Sequence, residues 1–205
     1  LSAHLRQKAK IEQKLKGVLR SLTKVYMSDD RLPVELRELL AAFPPRTLQL
    51  EIGIQSWDPE VGRLIERRQD AQRTEDNLRF LAEATHVHVH SDLIVGLPGE
   101  DLPTFARGFD RLLALGPQEI QVGILKRLRG TPIQMHDATH AMVYRDAPPY
   151  EVISTSTMSE LEIDAMKRFA RFWDLLVNSG NFIESAPLLW STHGSAFAGF
   201  YGFSE

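Results

Sequence analysis

Between residues 47 and 125 the chain alternates short strand-like runs with amphipathic helical stretches, and this alternation limits the fold more than any other feature. Thr47 to Ile54, His86 to Val95 and Glu119 to Leu125 read as strands from their period-two or continuous apolar patterns. Asp58 to Arg67 reads as a helix with Asp58 as its cap and Pro59 in its first position, and Glu75 to Ala84 as another. Leu102 to Leu115 is a third, closed by Gly116-Pro117. Strand and helix in this order imply a parallel sheet with right-handed crossovers, either doubly wound or curved into part of a barrel.

The flanks are less regular. Leu5, Ile11, Leu15, Val18, Leu19 and Leu22 fall on one stripe, which predicts an amphipathic helix over residues 2–22. Lys24 to Met27 is a short strand candidate, and Leu32 to Ala42 a helix with Pro33 in its first turn. Beyond Pro132 the alternation stops: residues 133–150 read as a loop-rich connector, Ser159 to Asn178 as an amphipathic helix, and the aromatic, Gly-rich tail through Phe203 has no clear period. The expected division is therefore residues 1–132 and residues 133–205.

Faces of the strands carry the first functional signal. Leu48, Leu50, Ile52 and Ile54 share one face of their strand, and Gln49, Glu51, Gly53 and Gln55 the other. A face of Gln, Glu, Gly and Gln looks into a lumen or crevice, where it meets either a polar ligand or an internal hydrogen-bond network. On the next strand His86, His88, His90 and Asp92 share a face. Alternate strand residues lie ~6.6 Å apart, so three histidines in series do not converge on one ion, and a polar interior accounts for them better than a metal. Asp92 stands near the carboxyl end of its strand, where parallel-sheet enzymes keep ligands, and the turn Gly96-Leu97-Pro98-Gly99-Glu100 follows it.

Composition removes several classes of chemistry. The 205 residues contain no cysteine, which excludes disulfides, thiolate metal sites and cysteine nucleophiles within them. The net charge of −3 conceals seven Lys/Arg against the single Glu12 in Leu1 to Lys24. Basic stretches of this kind are mostly solvated helix faces, so a nucleic-acid partner is not expected. No apolar run approaches the ~18 residues of a membrane span and no signal pattern opens the chain, so a cytoplasmic location is expected.

Several segments together resemble the radical S-adenosylmethionine (SAM) superfamily, in particular its cobalamin-binding iron–sulfur oxidoreductases: Glu51-Ile-Gly-Ile-Gln-Ser56, Ile65-Glu-Arg-Arg68, Asp92 to Glu100, Gln121 to Lys126 and Arg129-Gly-Thr-Pro132. The resemblance runs from about residue 26 to 132 and more loosely to about 183. Its central stretch also resembles oxygen-independent coproporphyrinogen oxidase, whose pattern of a Gln, an Arg twelve residues on and an Asp heading a Leu-Ile-x-Gly-Leu-Pro strand is met by Gln55, Arg67 and Asp92.

The resemblance implies a partial TIM-type (β/α) barrel, later strands only, with a helical C-terminal extension. It implies SAM contacts from Gln55, Arg67 and Asp92, with Glu51 on the same strand face and the turn at Gly96 and Pro98 close to the adenosyl group. Arg67 also fits the solvated face of a helix with Arg63 and Arg68. Lys126 is a candidate for a substrate carboxylate, although a surface lysine of a basic loop is the more common case. Trp57 is read mainly as helix packing, and Phe172 and Trp173 as core.

Radical SAM chemistry uses a [4Fe-4S] cluster held by three cysteines, which reduces SAM to a 5′-deoxyadenosyl radical, and these residues have none of the three. The expectation is a segment of a longer protein, begun at Leu1 within a helical pattern, whose N-terminal remainder would supply the cluster and any cobalamin domain. Alone it would be inactive. Its substrate would be a small molecule, with magnesium-protoporphyrin monomethyl ester as an analogy from related families. An open sheet edge would favour self-association. The competing expectation is a degenerate barrel that binds a nucleoside-like ligand or a protein without redox chemistry.

Overall fold

The computed structural model of the protein describes residues 23–27, 32–67 and 69–205. The helix expected over residues 2–22 lies outside them. Four parallel strands form one sheet in the order β1-β2-β3-β4: β1 (Thr23–Met27), β2 (Leu48–Gln55), β3 (His88–Val95) and β4 (Glu119–Ile124). The crossovers carry α1 (Val34–Ala41), then α2 (Pro59–Leu64) with α3 (Ala71–Ala84), then α4 (Leu102–Ala114). A mixed α/β fold with a parallel sheet is therefore present as expected.

Packing follows the period-two pattern. Leu50, Ile52 and Ile54 of β2, Val89, Leu93 and Val95 of β3, and Ile120 and Val122 of β4 are buried with Leu78 and Leu81 of α3 and Phe105, Phe109 and Leu112 of α4. Each such side chain stabilises the fold by about 1.5–3 kcal/mol when fully withdrawn from water. Caps fix where the helices start. The Asp58 carboxylate accepts from the amides of Glu60 and Val61 at 2.8 and 3.1 Å, and that of Asp101 from Thr104 at 2.8 Å.

Two helix boundaries depart from the pattern. The helix expected to reach Arg67 stops at Leu64, because Glu66 takes a left-handed φ of 57° and turns the chain back toward the sheet. Helix α3 starts at Ala71 instead of Glu75, because the Asp70 carboxylate accepts from the Arg73 amide at 3.1 Å and caps it earlier.

Beyond β4 the chain forms a short antiparallel pair, β5 (Val143–Tyr144) with β6 (Val152–Ser154), then α5 (Glu160–Trp173), a π-helical turn over Asp174–Asn178, and α6 (Ala196–Ser204). Ser159 and Glu162 make a reciprocal capping box at the start of α5. The tail that lacked a period is α6, ordered by its surroundings. Asp110 of α4 accepts from the Phe197 amide at 2.8 Å, and Phe197 and Phe200 enter an aromatic cluster. There Phe109 meets Trp173 edge-on at 4.7 Å, and Phe169 meets Phe200 at 5.2 Å. Trp173 is core as expected, whereas Phe172, one step round the helix, is 37% exposed and is not.

The β4 edge is occupied by the C-terminal residues. Asn178 accepts from the Ile120 amide at 3.2 Å and donates to the Ile120 carbonyl at 3.0 Å, and the Val152 amide donates to the Leu125 carbonyl at 2.9 Å. Among the described residues, no helix is long and apolar enough to cross a membrane.

Candidate functional site

The face of the sheet turned away from α2 to α4 is polar in three adjacent strands. Parallel register sets Glu51 beside His90 and His90 beside Glu119, and one row higher Gly53 beside Asp92 and Asp92 beside Gln121. Its lower half is satisfied from within. His88 Nε2 lies 2.8 Å from Glu119, while His90 Nε2 lies 3.2 Å from Asp92 and 3.1 Å from Gln121, with Gln49 3.4 Å from its Nδ1. The Asp92 hydrogen bond holds His90 above the usual histidine range against the opposing effect of burial, with the charges of Asp92, Glu119 and Glu51 adding to the rise. The histidine row is thus a hydrogen-bonded network along the sheet.

At the carboxyl ends of the strands the same face opens on a cavity of about 470 Å³. Gln55, Arg67 and Lys126 are among its polar lining groups, and Ile94, Leu97 and Ile124 among the apolar ones. Local geometry explains why Gln55 and Arg67 meet. A register shift between Gly53 and Gln55 ends the regular ladder, and Gln55 takes a φ of 69°. The turn after α2 then brings the Arg67 guanidinium back to donate to the Gly53 carbonyl. Gly53 leaves room for this, since a Cβ there would stand 3.1 Å from the Gln55 amide nitrogen and 3.6 Å from Arg67 Nη2. Of the two readings of Arg67, the helix-face one is corrected: α2 has ended, and the side chain turns inward. Gln69, which carried no expectation, reinforces this return by donating to the Ile54 carbonyl at 3.1 Å.

Glu51, Asp92, Gly96 and Pro98 lie outside the cavity lining. Glu51 and Asp92 sit lower on the same sheet face, within the network around His90. Gly96 and Pro98 are buried in the turn after β3. Gly96 has a φ of 84°, and a Cβ on it would fall 2.6 Å from Val152 and 3.3 Å from Ile163, so what presses on this turn is the protein's own C-terminal part. Lys126 is exposed at the cavity, its backbone bridged to Glu151. Trp57 packs between the Arg111 guanidinium, 4.1 Å from its ring, and Gly108, which agrees with helix packing.

Sequence reading also missed a buried acid. Glu100, 2% exposed, accepts from Ser56 Oγ at 2.5 Å and so ties the turn after β2 to the turn after β3. Burial pushes its carboxyl up to about 7, the Ser56 hydrogen bond opposes this, and the nearby Asp58 and Asp101 add to the rise. The available signal was its place immediately before the capping Asp101, where a second carboxylate has no role at the helix terminus.

A cofactor can be tested against these donors. An amide and a guanidinium among apolar lining groups suit a ligand with a carboxylate and a flat heterocycle, as SAM has. The fit fails for a thiolate-ligated iron–sulfur cluster, because the chain has no cysteine.

Known proteins agree with this reading of the fold. A family described as "Protein of unknown function (DUF4080)" matches residues 138–205. Oxygen-independent coproporphyrinogen III oxidase of Paracoccus denitrificans is 30% identical over 69 residues, which are 34% of this chain and 15% of that protein. The solved coproporphyrinogen III oxidase of Escherichia coli, described as a radical SAM enzyme, superimposes with a TM-score of 0.58 at 21% identity over 82% of this chain and 37% of its own. The radical SAM methyltransferase TsrM of Kitasatospora setae, solved with cobalamin and a [4Fe-4S] cluster bound, superimposes with a TM-score of 0.55 at 17% identity over 78% of this chain and 34% of its own. The chain thus spans well under half of the proteins it matches, and what it shares with them is a fold: the radical SAM fold, represented here in part.

Proposed function

We propose that these residues form the SAM- and substrate-binding part of a radical SAM iron–sulfur oxidoreductase, the later strands of a partial (β/α) barrel over residues 1–132 with an extension over 133–205. The observation that carries it is the convergence of Gln55 and Arg67, from separated positions, on a cavity at the carboxyl ends of three parallel strands. SAM, once reduced, supplies radical chemistry. The chain's own residues would bind and orient it. Arg67 and Gln55 hold its polar groups, Glu51 and Asp92 shape the polar face beneath, the turn at Gly96 and Pro98 backs the site, and Lys126 meets an anionic group of a small-molecule substrate.

The [4Fe-4S] cluster, and cobalamin where present, would be held by residues outside these 205, in a cytoplasmic protein; this part alone would be inactive. By analogy with related families, the proposed enzyme type is the cyclase that acts on magnesium-protoporphyrin monomethyl ester. Among the described residues β1 is the edge strand that no further strand or Asn178 pairs with, so self-association through an open edge would involve it.

The absence of cysteine favours a second reading, a nucleoside- or protein-binding module without redox chemistry. Titration with SAM followed by amide NMR tests the shared premise: shifts are expected at Gln55, Gly123 and Lys126, and Arg67→Ala should weaken them about tenfold or more. No saturable shift below about 1 mM would remove the site. Anaerobic reconstitution together with a cluster-bearing N-terminal part then separates the two readings. Formation of 5′-deoxyadenosine, reduced by Asp92→Ala, supports the enzyme; binding without that product supports the module.

A further inference from the structure

The loop that follows β4 has two sides. Lys126, Leu128 and Thr131 face the cavity at the strand ends, while Arg127 and Arg129 line a second cavity, of about 490 Å³, with Tyr144, Arg145 and Tyr150. We infer that this second cavity is a binding site for a small phosphate monoester, separate from the cofactor site and held on the reverse face of the same loop.

Charge favours an anion. Three guanidiniums, Arg127, Arg129 and Arg145, line the cavity with two carboxylates, Asp137 and Asp146. Asp137 is engaged by Arg127 at 2.6 Å, and Arg145 lies within electrostatic reach of Asp164, whose own hydrogen bond goes to Lys167 at 2.8 Å. Guanidinium is the group best matched to the oxygens of a phosphate, through paired N–H donors.

The arginines stand on a built frame. Segment 150–152 lies between the loop after β4 and the residue that follows β5: the Arg127 amide donates to the Tyr150 carbonyl at 2.9 Å and the Arg145 amide to the Glu151 carbonyl at 2.9 Å. Val152 donates to Leu125 on the same ladder, also at 2.9 Å. Arg127 is further fixed over the Tyr144 ring, 5.6 Å from its centroid. Tyr150, held at a φ of 59°, lines the cavity and is 37% exposed, which gives the organic part of a monoester a flat surface to lie on. Pre-organisation of this kind reduces the ordering cost of binding.

The inference does not depend on SAM binding and can fail independently of it. Isothermal titration of the 205-residue protein with glycerol 3-phosphate should give saturable one-to-one binding tighter than about 1 mM that weakens as salt is raised. Inorganic phosphate alone should bind more weakly, and glycerol not at all. Arg129→Ala and Arg145→Ala should each weaken glycerol 3-phosphate about tenfold while leaving the circular dichroism and the melting temperature unchanged, since both side chains are exposed. Equal affinity for inorganic phosphate and the monoester would reduce the site to a general anion site and overturn the monoester assignment. No saturable binding of either probe, or binding unaffected by both substitutions, would overturn the site itself.

Discussion

The two faces of the parallel sheet are built from the same strands and do different work. On the face under α2 to α4, Ile52, Ile54, Leu93 and Val95 are each no more than 2% exposed and give the fold its stability by leaving water. On the opposite face Gln49, His88, His90, Asp92 and Glu119 are satisfied by one another, and such exchanges of water for protein partners are worth far less in net stability. A sheet with this asymmetry can change its ligand chemistry on one side without losing its fold. The polar face is free to specialise because the apolar face carries the stability.

The largest expected effect comes from the apolar side. Phe109→Ala removes a fully buried ring that touches Phe169, Trp173 and Phe197 at once, and should destabilise the protein by about 3–5 kcal/mol in urea unfolding. A loss below about 1 kcal/mol would mean that the aromatic cluster is not part of the core. Next comes Glu100, a carboxyl group placed in buried surroundings. Its folded value of about 7 stands above the ordinary 4.5, so the folded state keeps the proton that the unfolded chain gives up. The stability it contributes is fully present below pH 4.5, falls as pH rises through 7, and changes by an amount of order 3 kcal/mol. Glu100→Gln should flatten that part of the stability–pH curve; an identical slope in the variant would refute the assignment.

The smallest effect is expected on the polar face. Asp92→Asn should cost at most about 1 kcal/mol of stability, yet lower the His90 titration midpoint toward the ordinary histidine value, because the hydrogen bond that the His90 ring donates to the Asp92 carboxylate is the main cause of its rise. Proton NMR of the His90 ring measures this directly. An unmoved midpoint, or a stability loss as large as that of Phe109→Ala, would erase the distinction between the faces.

What could be read from the sequence was whatever depends on local order. The period-two runs of β2 and β3, Asp58 and Pro59 at the start of α2, and the glycine turn after Asp92 are written within a few residues of where they act. Long-range convergence was not legible. That Arg67 returns to Gly53 depends on Glu66 leaving the helical region, and that Gln69 reaches Ile54 depends on the same turn. The regular spacing that identifies an amphipathic helix fails for α6, since Phe197, Gly199 and Phe200 are all buried between α4, α5 and Trp190. Glu100 was visible as a residue, but its burial comes from Ser56 and the packing around two distant turns.

Asn178 gives the β4 edge an unusual ending. One side-chain amide supplies Ile120 with both an acceptor and a donor, as a neighbouring strand would, but extends no further. A passing peptide that tried to dock along β4 would find the Ile120 position already taken by a side chain, which cannot continue a ladder as a strand does. Loss of this one side chain would leave the Ile120 amide and carbonyl without their partner, while Val152 would still hold the end of the strand at Leu125.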